Sequence, residues 1–454
     1  MRGAIAAGSR HTVEAGAWAL REGGTAIDAV VAAALAAFVA EGPLTGPAGG
    51  GFLLVDRPAF EPIVLDCFFA VPSRPALPME EVLIDFADAS TQVFHVGEGS
   101  VAVPGLVQGL AEAHARFGRL PWRQLATPAL ELAAAGVEVG PAQAFLLEIL
   151  VPILHREAGG RRLYGRPGHV DTAELVPTLD LIRDVGSAAL PELVPDLADD
   201  LAAYTVNERR PVETEFAGAR VLTPPAPSVG GQVVHRGLAE LEAGGLGGAP
   251  GSAAEAVRLA AGVAAGYAGT GAGSKPTGTT HISVVDRDGA VAALSSTLGS
   301  GSGVFRHGFQ LNNMLGERDV VGEPPHDRGA RLPSMMTPTL ALVDDRPRLA
   351  VGSAGSVRLS GAILQVIVGV VGQRLPVGDA IDRPRLHVDG SIVHVEGGWG
   401  DGVPEALAAA GWDVVAWTGR NLFFGGASAV EVRPDGVVAA AGDPRRGGHG
   451  VVVG

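Results

Sequence analysis

The stretch Gly278-Thr279-Thr280-His281-Ile282-Ser283-Val284-Val285-Asp286 constrains this chain more than any other, because a threonine pair opens an apolar strand directly behind the flexible run 269–278. A threonine hydroxyl within a chain is a poor nucleophile. Cutting the Gly278-Thr279 bond changes that: Thr279 then carries a free amine, with an ordinary pKa of about 7.7 to 8.0, that takes the proton from its own side chain. Nucleophile and base reside in one residue. The expectation is a self-activating acyl-transfer enzyme whose cleavage site is Gly278 and Thr279.

The chain has ample material to bury such a strand. Of its 454 residues 47% are hydrophobic and 18% charged, which specifies a folded protein, either one large layered domain or two intimately packed lobes. A formal net charge of -15, with no local Lys/Arg cluster, argues against nucleic acid as a partner. Cys67 is the single cysteine, so no intramolecular disulfide forms, and without CxxC, HExxH or His/Cys clusters neither a metal nor a cofactor is expected. The start, residues 1–11, has neither an apolar h-region nor a cleavage region, so a cytoplasmic address is expected. The apolar run Ala26–Ala40 carries Asp28 and falls short of the roughly 20 residues of a membrane span, so it reads as a buried helix and no membrane partner is expected.

Helical patterns at 12–21 and 25–41 form a hairpin broken at Gly23-Gly24, with Thr25 as cap. Gly49-Gly50-Gly51 leads into a buried strand at 52–55, the glycines permitting close backbone approach. Further helices are expected at Leu106–Phe117, 121–135, 253–268 and 357–371, with mixed, mostly helical sequence over 140–215. Residues 224–231 read as a rigid loop and 269–274 as a linker. Beyond Thr279 the texture changes to hairpins: 282–285 with 291–295 around Asp288-Gly289, 340–343 with 348–351 around 344–347, and 429–432 with 437–440 around Asp435-Gly436. Helices first, strands later and a helix between strands imply an α+β fold in which helices cover sheets, not a doubly wound parallel sheet.

The blocks Gly23-Gly24-Thr25-Ala26-Ile27-Asp28-Ala29, Gly46-Pro47-Ala48-Gly49-Gly50-Gly51-Phe52, Val103-Pro104-Gly105, Leu120-Pro121-Trp122, 224–231, 279–286, Leu311-Asn312-Asn313, Pro338-Thr339 and Asp443-Pro444-Arg445-Arg446 run collinearly over nearly the whole chain. In that order and spacing they resemble the gamma-glutamyltranspeptidases, which belong to the N-terminal nucleophile hydrolases. The resemblance implies a four-layer αββα sandwich, made as a precursor and cut before the threonine into a large segment, 1–278, and a small one, 279–454, that stay together as one globule. It implies Thr279 as nucleophile, Thr297 as the second threonine that supports it by hydrogen bonding, and Gly355 and Ser356 as the pair whose backbone N–H groups bind the oxyanion. The family has two glycines at that pair; a backbone donor survives the change of the second to serine. The implied partners are a small-molecule acyl substrate and a water or amine acceptor.

The same correspondence places Phe68, within 65–72, where the family carries the arginine that forks onto the substrate's alpha-carboxylate. An aromatic ring there removes a charge-assisted pair and leaves a buried carboxylate unmatched. Other substrate-binding positions differ too: Ser334 and Met335 for a serine pair, Met314 for a glutamine, Glu317 for the downstream acid and Gly299 for an asparagine, while Asn313 is kept. The reading is that reaction type persists and substrate changes, toward a small acyl compound other than simple glutathione. Similar enzymes on this scaffold include oxamate-type amidohydrolases, cephalosporin acylases and enzymes that cleave a carbon–carbon bond beside a carbonyl in the biosynthesis of proline-derived antibiotic units. The Ala/Gly/Arg-rich composition accords with the last group. A genuine glutathione hydrolase and an unprocessed, non-catalytic binding protein are the alternatives. Arg306, His307 and Arg358 are the candidate replacement cations.

Plainer roles compete for several of these residues. Thr297 also suits an ordinary strand position, Gly355-Ser356 a turn before a helix, Asn313 a cap, and Glu317 a solvated loop acid. His281 projects from the strand to the face opposite Thr280 and is read as packing, since the amine is already the base. Gly301-Ser302-Gly303 lacks the full GxSxG pattern of a nucleophile elbow.

Overall fold

The computed structural model describes residues 2–85, 91–270, 278–355 and 358–454. Thirteen strands build its two large sheets: β1 (Gly3–Ala7), β2 (Gly50–Asp56), β3 (Ile63–Cys67), β4 (Asn207–Arg209), β5 (Val212–Phe216), β6 (Ala219–Thr223), β7 (Gly278–Val285), β8 (Val291–Gly299), β9 (Thr339–Val343), β10 (Arg346–Ala354), β11 (Gly426–Val432), β12 (Val438–Gly442) and β13 (His449–Val453). The first sheet runs β13-β1-β7-β8-β2-β3-β4 and the second β12-β11-β10-β9-β6-β5. Every pairing in both is antiparallel.

Alternation along β7 fixes how the sheets stack, since successive side chains of a strand leave on opposite faces. Ile282 and Val284 enter the core beneath the helices α1 (Arg10–Arg21) and α2 (Ala26–Ala40). Val285 instead joins the core shared with the second sheet, Ser283 donates to the Ser428 carbonyl of β11 (3.2 Å), and the His281 ring fills the space that a side chain at Gly352 of β10 would need. The outer face of the second sheet is covered by α4 (Val229–Gly244), α5 (Ala253–Tyr267) and α6 (Leu359–Ile367), with α3 (Leu106–Phe117) on the side of the first. The four layers are helix, sheet, sheet, helix, as expected.

The membrane-length question resolves as a core helix. Every residue of α2 is buried, as suits a helix apolar on all sides. Thr25 caps it reciprocally with Asp28, whose carboxylate also accepts from the Arg119 amide at 2.9 and 3.1 Å. Packing against α1 is close because Gly16 has no side chain: a Cβ there would lie 2.2 Å from Ile5 Cδ1 and 2.9 Å from the Ala29 carbonyl. No helix among the described residues is long and apolar enough to cross a membrane.

Where the structure departs from the sequence expectation, local chemistry explains it. The helix expected at 121–135 is two, Trp122–Leu125 and Thr127–Ala135, because Pro128 has no N–H for a continuous ladder. Gly230 and Gly231 belong to the first turn of α4 rather than a loop, since Ser228 Oγ accepts from the Gly231 amide at 3.0 Å. The turn joining β9 and β10 is only Asp344-Asp345, both left-handed (φ 50 and 55), so Arg346 and Pro347 are already strand. The helix expected to 371 ends at Ile367 and passes into a π turn, Val368–Gly372. Strand β1, flanked by β7 and β13, was not anticipated.

Candidate active site

The two threonines that open β7 have different fates. Thr280 faces the helices, and its hydroxyl donates to Glu41 Oε2 at 2.5 Å, with Thr12 donating to Glu41 Oε1 at 2.5 Å. Burial pushes the Glu41 carboxyl up from its ordinary value, against those two hydrogen bonds. Thr279 faces the other way and lines a small cavity of about 20 Å³. A register shift between Gly278 and Thr280 sets this geometry: Gly278 pairs with Gly299, while Thr280 pairs with Ser296.

Thr297, near the end of β8, reaches across this irregularity. Its hydroxyl donates to the Gly278 carbonyl oxygen and accepts the Gly299 amide at 2.8 Å. The carbonyl it polarises is the one on the bond between Gly278 and Thr279.

The cavity wall brings together Phe68, Thr279, Thr297, Gly299, Met314, Glu317, Ser334 and Met335, joined by Val320, Met336 and Leu359, which the sequence reading missed. Phe68 is fully buried, stacked on Phe52 (5.3 Å between ring centroids) and edge-on to Phe69 (4.9 Å). Its carbonyl is held by Tyr204 Oη (2.6 Å) and Arg331 Nη1 (2.8 Å). Ser334 is built into a backbone junction, its Oγ accepting from the Met336 amide (3.1 Å) and its carbonyl from the Val229 amide (2.7 Å).

Glu317 is the one charged residue among the described lining, and it is buried rather than solvated. Its Oε1 accepts from the Ser300 amide and hydroxyl, both at 2.8 Å. Burial pushes its carboxyl up to about 7, against the hydrogen bonds from Ser300 and Asn313. Asn313 is placed behind the wall: its Oδ1 accepts from the Ser300 (2.7 Å) and Gly301 (3.1 Å) amides. Gly299 has φ +69, and a Cβ there would lie 2.2 Å from Asn313 Oδ1, so the turn that presents Glu317 needs glycine.

Gly355 (φ +131) follows β10, against Gly425 and the Arg446 guanidinium, and is not part of the cavity wall; Ser356 lies outside the described residues. The candidate cations lie elsewhere. Arg306 is ion-paired with Glu98, and His307 is exposed at a left-handed turn. Arg358 lies over the Phe423 ring, 4.3 Å from its centroid, with burial bringing its pKa down to about 10. His281 sits between Ser295 Oγ and Ser283 Oγ, each 2.8 Å away, and burial brings it down to about 3, so it packs as a neutral ring.

Asn312 joins sequence blocks that lie far apart in the chain. Its amide donates to the carbonyls of Ala48 (3.1 Å) and Ala102 (2.9 Å), and its oxygen accepts from the Ala102 amide (2.9 Å). The glycine block, the segment before Val103-Pro104-Gly105 and the asparagine pair are thereby tied into one frame.

Residues 12–177 and 252–453 match the family model of the gamma-glutamyltranspeptidases. The chain belongs to the gamma-glutamyltranspeptidase family. An acylase ACY 1 proenzyme from a Pseudomonas species is 27% identical over 530 residues, covering 100% of this chain and 94% of that protein. A glutathione hydrolase proenzyme from Pseudomonas aeruginosa is 28% identical over 538 residues, covering 99% and 94%. Among solved structures, the cephalosporin acylase from Bacillus halodurans superposes with a TM-score of 0.84 at 20% identity, covering 99% of this chain and 95% of its own, which establishes the shared fold. The chain is thus a gamma-glutamyltranspeptidase-like N-terminal nucleophile hydrolase or acyltransferase with the αββα architecture of that class.

Proposed function

We propose that Thr279 is the nucleophile, released by self-cleavage of the Gly278-Thr279 bond into segments 1–278 and 279–454. The observation that carries this reading is the pairing of roles at the strand start: Thr280 is committed to Glu41, whereas Thr279 faces the cavity with Thr297 on the adjoining carbonyl. In self-cleavage Thr279 Oγ adds to the Gly278 carbonyl carbon, and the oxygen that becomes anionic already receives the Thr297 hydroxyl. Expulsion of the Thr279 nitrogen leaves an ester, which water hydrolyses to a Gly278 carboxylate and a free Thr279 amine and hydroxyl. The same hydroxyl, with that amine as base, then attacks the substrate carbonyl, and water or an amine takes the acyl group. Backbone N–H groups at Gly355 and Ser356 are proposed for the substrate's oxyanion.

The acyl group is apolar or weakly polar and lacks a free alpha-amino acid head. What supports this is the wall: Phe68, Met314, Met335 and Met336 surround a single carboxyl group, and no cation lies among the described lining residues. A glutamyl carboxylate buried there would go unpaired, at a cost of several kcal/mol. Amide cleavage and cleavage of a carbon–carbon bond beside a carbonyl both fit such an acyl-enzyme. A role in antibiotic-unit biosynthesis belongs to the second possibility. The test is a substrate panel pairing gamma-glutamyl-p-nitroanilide with uncharged acyl anilides and 1,3-dicarbonyl compounds, with the acyl-enzyme mass read on Thr279. Uncharged donors are expected to be turned over; turnover of the gamma-glutamyl compound alone overturns the assignment.

A further inference from the structure

A second cavity, of about 480 Å³ and far larger than the first, lies at the same end of the first sheet. It adjoins the start of β7 from the Thr280 side: Glu41 lines it, and so do Pro43 and Leu44, which pack against Gly278 at 3.3 Å from where a side chain would begin. Leu146 and Leu422 add to an apolar wall.

Its charges are spoken for with one exception. Arg10 pairs with Glu14 (2.6 Å), Glu138 with His169 (3.1 Å), Arg445 with Glu396 (2.5 Å) and Asp443 (3.1 Å), and Glu41 with the two threonine hydroxyls; His11 lies 4.0 Å from Glu14. Arg446 has no carboxylate within ion-pair distance among the described residues, and its Nε is enclosed without a hydrogen-bond partner. Its stem is held in place by packing on Gly426, and its guanidinium reaches Gly355, which follows β10. Burial lowers its pKa to about 10, with Asp443 opposing, so the group stays cationic at neutral pH.

The wall beside Arg446 includes the beginning of the helix Pro141–Leu154, whose cap residue Gly140 supplies no side-chain hydrogen bond. Ala142 on that first turn stands 3.7 Å from where a side chain at Gly447 would begin, next to Arg446. An uncapped helix start and an unmatched guanidinium thus converge on one apolar chamber, and both favour an anion.

We propose that this chamber is a second binding site, for a small molecule that carries a carboxylate on an apolar chain, with Arg446 as the group that takes the carboxylate. The site stands on its own geometry. Only its place in the reaction rests on the Thr279 reading: there the ligand is the half of the reactants, leaving group or acceptor, that the acyl cavity does not hold. In that arrangement the missing cation of the acyl cavity is not replaced in place; positive charge is supplied to the other reactant instead.

The test is calorimetric titration of the wild-type protein with hexanoate and with hexanamide, repeated on Arg446→Gln and Arg446→Lys, with melting temperatures recorded. The expected result is saturable binding of hexanoate about tenfold or more tighter than of hexanamide. Arg446→Gln is expected to abolish that preference and Arg446→Lys to keep part of it. Equal affinity of the two ligands, no saturable binding to wild type, or an unchanged preference in Arg446→Gln overturns the proposal. If Arg446→Gln does not fold, Arg446→Lys decides: a preference equal to wild type, without the planar fork, likewise counts against it. Failure of Thr279 chemistry leaves these affinities unmoved, so the two readings fail separately.

Discussion

Replacing Thr297 by valine keeps the shape of the side chain and removes two interactions at once. The Gly278 carbonyl loses the hydroxyl donor it has in the ground state, and the buried Gly299 amide loses its acceptor at 2.8 Å. An orphaned buried amide costs about 1–3 kcal/mol of folding stability. The kinetic effect is expected to be larger, because the donor points at the oxygen where charge develops during self-cleavage. Loss of one such donor slows acyl chemistry by about 10²–10³-fold, roughly 2.7–4 kcal/mol of barrier. The assay is a time course of precursor conversion after cell-free synthesis, read as one band becoming two on a denaturing gel, for wild type, Thr297→Val and Thr297→Ser. Serine keeps the hydroxyl and is expected to cleave within several-fold of wild type. A folded Thr297→Val that matures with the wild-type half-time refutes the role given to this hydroxyl.

Glu317→Gln tests the buried carboxyl. Its pKa is raised from 4.5 to about 7 on folding, so the native state holds the proton more tightly than the unfolded chain; its contribution is full below about 4.5 and is lost as pH rises to about 7, a change of at most about 3 kcal/mol. Urea melts below and above that window are expected to show a smaller loss of stability with rising pH in the glutamine variant; an unchanged slope contradicts this. Phe68→Arg, which installs the arginine that the family resemblance implies there, is expected to lower stability by about 3 kcal/mol or more and not to create gamma-glutamyl turnover, because the ring it replaces is packed between Phe52 and Phe69 and the one lining carboxyl, Glu317, is already engaged by Ser300. Thermal melting and a gamma-glutamyl-p-nitroanilide assay check both halves. Gly299→Ala forces a side chain to 2.2 Å from Asn313 Oδ1 and 3.0 Å from Glu317 Oε1 at φ +69, and is expected to cost about 2 kcal/mol and to impair maturation; wild-type melting and cleavage count against the strain argument.

That helices cover sheets was legible from the apolar helical patterns before Thr279 and the hairpins after it, whereas the four-layer αββα order was legible only through the family resemblance. The gathering of Phe68, Met314, Glu317, Ser334 and Met335 around Thr279 was legible only through the collinear blocks, since these positions are separated by up to 267 residues of chain. Other features depend on contacts that no local pattern encodes. Strand β1 reads as a short Ala/Gly run until β7 and β13 flank it, and Glu41 looks like a helix-end acid until Thr12 and Thr280 close on it. Asn313 was placed at the substrate by its neighbours in sequence, whereas its hydrogen bonds hold the turn behind the cavity. Arg446 was read as half of a motif whose first arginine is fully paired; only the chamber shows that the second is not.

Intact-mass and N-terminal analysis of the purified protein, beside Thr279→Ala, bears most directly on the account. Two polypeptides from the wild type, the smaller beginning at Thr279, and one uncut chain from Thr279→Ala are the predicted result. An active wild-type preparation that consists of a single chain, or whose small segment begins at any other residue, contradicts it.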